Sequence, residues 1–157
     1  MALALFSGSA EAAPRPDGPS PLFVSIPERM TAQMMREQII HTAYSQLGQT
    51  YKRGGSSPGS GFDCSGFTSW VFAMTGVKIP RTSREQFGKG INISQEDLRP
   101  GDMVFFRSGR NISHVGIYVE KGYFIHSPNK NSEITISNLK SSGWLRTYAG
   151  ARRLIPD

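Results

Sequence analysis

The chain has 157 residues, 38% of them hydrophobic, with 18 Lys and Arg against 12 Asp and Glu for a formal charge of +6. That length supports one packed core and excludes two ordinary domains. The basic residues are scattered, as on a solvated surface; the positive balance suits an acidic partner, whether nucleic acid, an anionic membrane face or an anionic cell-wall polymer. The single cysteine, Cys64, excludes an intramolecular disulfide and has two readings, a buried small hydrophobe or a nucleophile.

Met1 to Phe6 is a short apolar run, far below the ~20 residues that span a bilayer. It is similar to the end of a secretory signal without its basic start. Ala10-Glu11-Ala12 fits a small-x-small cleavage site, and Phe6-Ser7-Gly8-Ser9 resembles a lipoprotein signal with Ser9 where the lipidated cysteine would stand. Pro14, Pro16, Pro19 and Pro21 break regular structure, so residues 7–27 read as a linker. Residues 1–30 are thus expected to be a residual export signal and flexible Pro-rich linker, and residues 31–157 the folded domain.

Thr31 to Leu47 reads as a helix, with Ala32, Met35, Ile39, Ala43 and Leu47 at three- and four-residue steps and Gly48 as its stop. Residues 54–61 form a Gly- and Ser-rich loop leading into Phe62-Asp63-Cys64. A second helix runs from Cys64 to Thr75, with Asp63 as N-cap and Gly76 closing it. Pro80-Arg81 precedes a short third helix in which Thr82 and Glu85 have capping-box spacing. After Pro100-Gly101 the pattern turns to short β-type runs: 103–107, 114–119, 123–127, 133–137 and a last strand within 148–155. Helices first and an antiparallel sheet afterwards define an α+β domain, N-terminal helices packed on a central antiparallel sheet.

A nucleophilic cysteine works as thiolate, and a helix N-terminus or an adjacent imidazole lowers its pKa. Cys64 is placed at the first position of the second helix, among unpaired backbone N–H groups, with small Ser65 and Gly66 keeping that end open. Asp63 opposes this electrostatically; it serves as the N-cap or binds a substrate ammonium. Of the three histidines, His41 reads as a surface or packing residue, whereas His114 and His126 flank a hairpin. A three-residue loop, Glu120-Lys121-Gly122, pairs Val119 with Tyr123 and Gly116 with His126, and puts both histidines on one face. A two-residue loop, Lys121-Gly122, would put them on opposite faces, so the catalytic reading requires the longer one. His114 then takes the thiol proton and later protonates the leaving amine, while His126 orients it. Tyr51 is either an oxyanion donor or an ordinary loop aromatic. No Cys/His/carboxylate spacing suggests a metal and the glycine loop is not a phosphate-binding loop, so no cofactor is expected.

Six pieces resemble the NlpC/P60 family, in order: Tyr51-Lys-Arg-Gly-Gly55, Phe62-Asp63-Cys64-Ser65-Gly66-Phe67, Ile79-Pro80-Arg81-Thr82-Ser83 with Gln86, Leu98-Arg-Pro-Gly-Asp-Met-Val-Phe-Phe106, His114-Val-Gly-Ile-Tyr118, and Phe124-Ile-His-Ser127. The resemblance implies a minimal papain-like domain over residues 31–157 that hydrolyses peptide bonds of peptidoglycan stem peptides or cross-links, γ-D-Glu–diaminopimelate or D-Ala–diaminopimelate. It implies Cys64, His114 and His126 as catalytic residues, and Tyr51, Asp63, Ser65, Arg81 and Ser83 as oxyanion or substrate contacts. It further implies peptidoglycan peptides rather than nucleic acid as partner, and a monomer. The single-domain form is most similar to the Spr/NlpC-type lipoproteins, which implies export to the periplasm with an outer-membrane lipid anchor in the native precursor. Arg53, where an aromatic is common, and Ser127-Pro128, where small residues are usual, are departures that bear on groove shape. The competing readings are a catalytically inactive cell-wall-binding module, a CHAP-like amidase and a papain-like acyltransferase. Retention of Cys64 and His114, and the order cysteine before histidine, weigh against the first and the last.

Overall fold

Thr31 starts the first helix because its side-chain oxygen accepts the backbone N–H of Met34. The computed structural model describes residues 30–157; the leader and linker expected in residues 1–30 therefore lie, except for Met30, outside the described residues. Helix α1 spans Ala32–Tyr44, ending three residues before the expected Leu47. There the chain is drawn off toward the sheet, with Gly48 N–H donating to the Ile134 carbonyl, and Leu47 is left exposed. Within the glycine loop, strands β1 (Ser56–Ser57) and β2 (Gly61–Phe62) form a small hairpin that leads directly into α2 (Cys64–Met74). Helix α3 (Ser83–Phe87) carries the expected capping box between Thr82 and Glu85.

A short strand β3 (Ile91–Ile93) and a 3-10 turn (Gln95–Asp97) follow. Then come β4 (Met103–Ser108), β5 (Asn111–Glu120), β6 (Tyr123–His126), β7 (Thr135–Asn138), the short helix α4 (Ser142–Thr147) and β8 (Tyr148–Arg153). The six strands β3 to β8 make one antiparallel sheet in the order β3-β8-β4-β5-β6-β7. Alternation along the strands divides the core. Met103, Phe105, Val115, Ile117 and Ile125 pack with Ile39, Ala43, Phe67, Val71 and Phe72 of α1 and α2. Val104, Phe106, Tyr118, Phe124 and Ala151 form a second cluster with Leu139, against which Trp144 of α4 packs.

The β5–β6 hairpin corrects the loop expected from the sequence. Glu120 pairs with Tyr123, so the turn has two residues, Lys121 and Gly122. Both have positive φ, 51° and 88°, as a type I′ turn requires. The register does not flip, because the ladder shifts between Tyr118 and Glu120. Val119 is the extra residue of a β-bulge, which restores Tyr118 opposite Phe124 and Ile117 opposite Ile125. The face alternation needed to bring the two histidines together is thus present, produced by a bulge rather than a third loop residue.

Asp102, at the start of β4, is buried. It accepts two hydrogen bonds from the Arg153 guanidinium, at 2.9 and 2.8 Å, and one from the Arg99 backbone N–H at 2.8 Å. This fastens β8 to β4 behind the site, so the Pro-Gly-Asp segment serves the fold.

Candidate active site

The Cys64 end of α2 is built from charges. Asp63 caps the helix, its Oδ1 accepting the Gly66 N–H at 2.7 Å. Its Oδ2 accepts the Gly54 N–H at 2.9 Å. Arg81 closes on the same carboxylate with two donors, at 2.9 Å to Oδ1 and 2.8 Å to Oδ2. The guanidinium also donates to Ser65 Oγ at 3.0 Å and to the Gly55 carbonyl at 3.3 Å. An incoming ammonium would therefore have to compete with Arg81 for Asp63. The cap expected from the sequence is present, with the carboxyl held below its ordinary pKa, where burial opposes the shift but is outweighed by hydrogen bonds from Arg81, Gly66 and Gly54.

Tight packing keeps this end together. A Cβ on Gly66 would stand 2.0 Å from the Gly55 carbonyl oxygen and 2.9 Å from Asp63 Oδ1. From beneath, the fully buried Gln86 amide donates to the Ser65 carbonyl, Ser69 Oγ and the Pro80 carbonyl, and its oxygen accepts from Thr68. Ser127 Oγ donates to the Phe62 carbonyl at 2.7 Å, tying the end of β6 to the strand before Cys64.

The half-buried Cys64 packs against the core cluster that contains Val115, the residue after His114. Burial, and then the negative charge of Asp63, push its pKa up; the N–H groups of Val115, Ser65 and Cys64 itself pull the other way and lose. The helix terminus therefore acts in the expected direction without making a resting thiolate. Tyr51, bridged to Phe62, stands near enough that burial, Cys64 and Asp63, in that order, raise its hydroxyl pKa. Ser83 opens α3 two residues beyond Arg81, half-buried, with no side-chain hydrogen bond among the described residues.

The histidine end is built from aromatic rings. His114 Nε2 and His126 Nδ1 are 2.7 Å apart, and His126 Nε2 is 2.8 Å from Ser137 Oγ. Trp144 stacks on His114 at 5.3 Å and 28° and meets His126 edge-on at 4.8 Å. Phe106 and Phe124 complete the enclosure. Gly116 permits the close crossing of β5 and β6, since a Cβ there would come within 2.7 Å of the Phe124 ring and 3.1 Å of His126 Cβ. Burial lowers the pKa of His114 to about 4; burial and the neighbouring His114 lower that of His126 to about 3. At neutral pH the site therefore rests as neutral thiol and neutral imidazoles. With His114 Nε2 engaged by His126, Nδ1 is the ring nitrogen outside that contact.

Sequence reasoning missed Trp144 and Ser137. Trp144 sits on a short helix that no apolar periodicity announced; the pairing of Ser137 with Phe124, two residues from His126, could have placed it. His41 is exposed on α1, away from this cluster, as expected. Among the described residues no group of three or more His, Cys, Asp or Glu could hold a metal ion.

Comparison with known proteins gives a consistent picture. Residues 48–153 match the model of the NlpC/P60 family. The chain is 42% identical over 116 residues to a Listeria seeligeri protein named "Probable endopeptidase p60", covering 74% of this chain and 22% of that protein. It is 44% identical over 115 residues to the murein DD-endopeptidase MepH of Escherichia coli, covering 70% of this chain and 42% of that one. It is 38% identical over 123 residues to a gamma-D-glutamyl-L-lysine dipeptidyl-peptidase of Bacillus cereus, covering 76% and 37%. It thus spans less than half the length of each of these relatives. Among solved structures, an NlpC/P60 family protein from Bacillus cereus superposes with a TM-score of 0.74 at 37% identity, over 77% of this chain and 40% of that one. The NlpC/p60 domain of the peptidoglycan hydrolase SagA superposes with a TM-score of 0.68 at 31% identity, over 76% and 98%.

Proposed function

The chain belongs to the NlpC/P60 family, and on that premise we propose that it is a peptidoglycan endopeptidase of the cysteine type. The observation that carries this reading is the junction of the two ends of the site. Cys64 packs against the core cluster that contains Val115, next to a His114 whose far nitrogen is already occupied by His126. As substrate enters, the thiol proton passes to His114 Nδ1 and the sulfur attacks the scissile carbonyl carbon. Tyr51 donates to the oxygen that becomes anionic. Collapse of the tetrahedral intermediate breaks the C–N bond, and His114 returns its proton to the leaving amine. Water, deprotonated by the same histidine, then hydrolyses the thioester.

The substrate class is cell-wall stem peptides or their cross-links, cleaved at γ-D-Glu–diaminopimelate or D-Ala–diaminopimelate. The relatives named murein DD-endopeptidase and gamma-D-glutamyl-L-lysine dipeptidyl-peptidase support this substrate class. Asp63, Ser65 and Arg81, joined by hydrogen bonds beside Cys64, set the charge met by the substrate, and Ser83 at the start of α3 contributes a further contact. The protein is exported and works as a monomer in the cell envelope, in the periplasm with a lipid anchor in the precursor. Among the described residues no helix is long and apolar enough to cross a membrane.

Digestion of purified sacculi with the protein, followed by mass spectrometry of the released muropeptides, tests the reading and assigns the bond. Cys64→Ala should abolish release while the protein stays folded, iodoacetamide should do the same, and EDTA should not. Peptide-free glycan as the product would make the chain an amidase. Intact muropeptides with retained sacculus binding would make it a binding module.

A further inference from the structure

We propose that Ser137 is a fourth, positioning member of the reaction machinery, accepting a hydrogen bond that the site needs when His114 carries the thiol proton. This rests on the proposed role of His114 as base. Once His114 holds protons on both nitrogens, its Nε2–H can only donate, and the atom 2.7 Å away is His126 Nδ1. His126 must then carry its own hydrogen on Nε2. That N–H belongs to a fully buried side chain and needs an acceptor inside the protein. Ser137 Oγ, 2.8 Å away, is the acceptor present.

The strand register explains how it gets there. In the β6–β7 ladder Thr135 lies opposite His126 and Ser137 opposite Phe124, so Ser137 shares the face of His126 and reaches it diagonally. In the resting site the hydroxyl can serve either direction, since it both donates and accepts. In the reactive state the direction is forced, and there the loss of Ser137 leaves a buried N–H unpaired. The effect therefore falls on turnover rather than on substrate binding.

The experiment compares Ser137→Thr with Ser137→Val, two side chains of one shape that differ in the hydroxyl. Each is also combined with His126→Asn, in which no ring N–H faces position 137. Two readouts are taken: kcat and KM on a muropeptide, and the rate at which iodoacetamide alkylates Cys64, which needs no substrate and so tests Ser137 even if the bond cleaved is misassigned. Ser137→Val should lower kcat by about 10- to 100-fold, the cost of one unpaired buried donor, with KM little changed. It should also slow alkylation at neutral pH, and Ser137→Thr should restore both. In the His126→Asn background, Ser137→Thr and Ser137→Val should behave alike. Equal kcat and alkylation rates for the two single variants, or a difference between them of the same size in the His126→Asn background, would overturn the proposal.

Discussion

The two ends of the candidate active site are stabilised by opposite physics. Around Cys64 the groups are ionic: Asp63 and Arg81 form a two-donor pair whose side chains are 17% and 41% exposed, with backbone N–H groups filling the remaining lone pairs. Around His114 the groups are neutral and enclosed by Trp144, Phe106 and Phe124, with exposures of 8% for His114 and none for His126. The ionic end sets the electrostatic surroundings of the thiol. The aromatic end keeps its imidazoles uncharged. The proposed reaction requires a proton to cross from one environment to the other, and the resting site places neither thiolate nor imidazolium in advance. The contrast makes the aromatic end sensitive to acid and the ionic end sensitive to charge.

The largest expected effect tests the aromatic end. Each histidine has a folded pKa, about 4 for His114 and about 3 for His126, below its unfolded value of roughly 6.5. Below pH 6.5 the unfolded chain binds protons that the folded chain refuses, so the stability contributed by neutral burial is full above that value. It is lost as pH falls toward the folded values. Stability should drop by up to about 1.4 kcal/mol per pH unit for each histidine in this window. Urea unfolding at pH 7, 6, 5 and 4 measures it, and His126→Asn should remove about half of the slope. A flat profile between pH 6.5 and 4.5 would mean that the aromatic enclosure does not exclude charge.

Gly66→Ala tests the ionic end by geometry. The added carbon collides with backbone at 2.0 Å, which a side-chain rotation cannot relieve. Overpacking of this kind costs about 1–3 kcal/mol, and the displaced helix start should lower kcat by about 100-fold, the scale of a 1 Å misplacement. Imidazole NMR signals of His114 and His126 should stay where they are. If they move as much as the activity falls, the two ends are one unit and the contrast fails.

Much of this was legible in the sequence, for reasons that particular residues make plain. Local rules were sufficient where one residue decides the outcome. Asp63 and the Thr82–Glu85 box cap their helices as expected, and the short β-type runs between turn residues coincide with strands β4 to β8. Strand β3, three residues long with Ile91 exposed, and helix α4, with Leu145 exposed, carry too little apolar pattern to announce themselves. The hairpin shows a subtler limit. Sequence spacing cannot distinguish a three-residue loop from a two-residue turn plus a bulge at Val119, because both give the same register for Ile117 and Ile125. The thiol pKa went the other way from expectation because burial is a tertiary quantity. A helix N-terminus is visible in sequence, whereas the desolvation that outweighs it is not.

The smallest effects separate charge from substrate contact at Asp63. Arg81→Met removes the cation beside Asp63 and leaves the anion facing the thiol, so the thiol pKa should rise further. A partly exposed pair is worth about 0.2–1 kcal/mol, so Cys64 alkylation near neutral pH should slow by up to about fivefold. Asp63→Ser does the reverse: it removes the charge that raises the thiol pKa, frees Arg81 to stabilise a thiolate, and retains an oxygen that can cap α2. Alkylation should therefore quicken in Asp63→Ser and slow in Arg81→Met, a sign difference that a general loss of stability would not produce. The same two proteins settle whether Asp63 also meets an ammonium. Its oxygens already accept hydrogen bonds from Arg81, Gly54 and Gly66, so the ratio of cleavage rates for a free-amine stem peptide and its acetylated form should be the same in the parent and in Asp63→Ser. If that ratio falls toward unity only in Asp63→Ser, the substrate ammonium displaces Arg81 and binds the carboxylate, and the ionic end takes part in recognition as well as in setting the charge around Cys64.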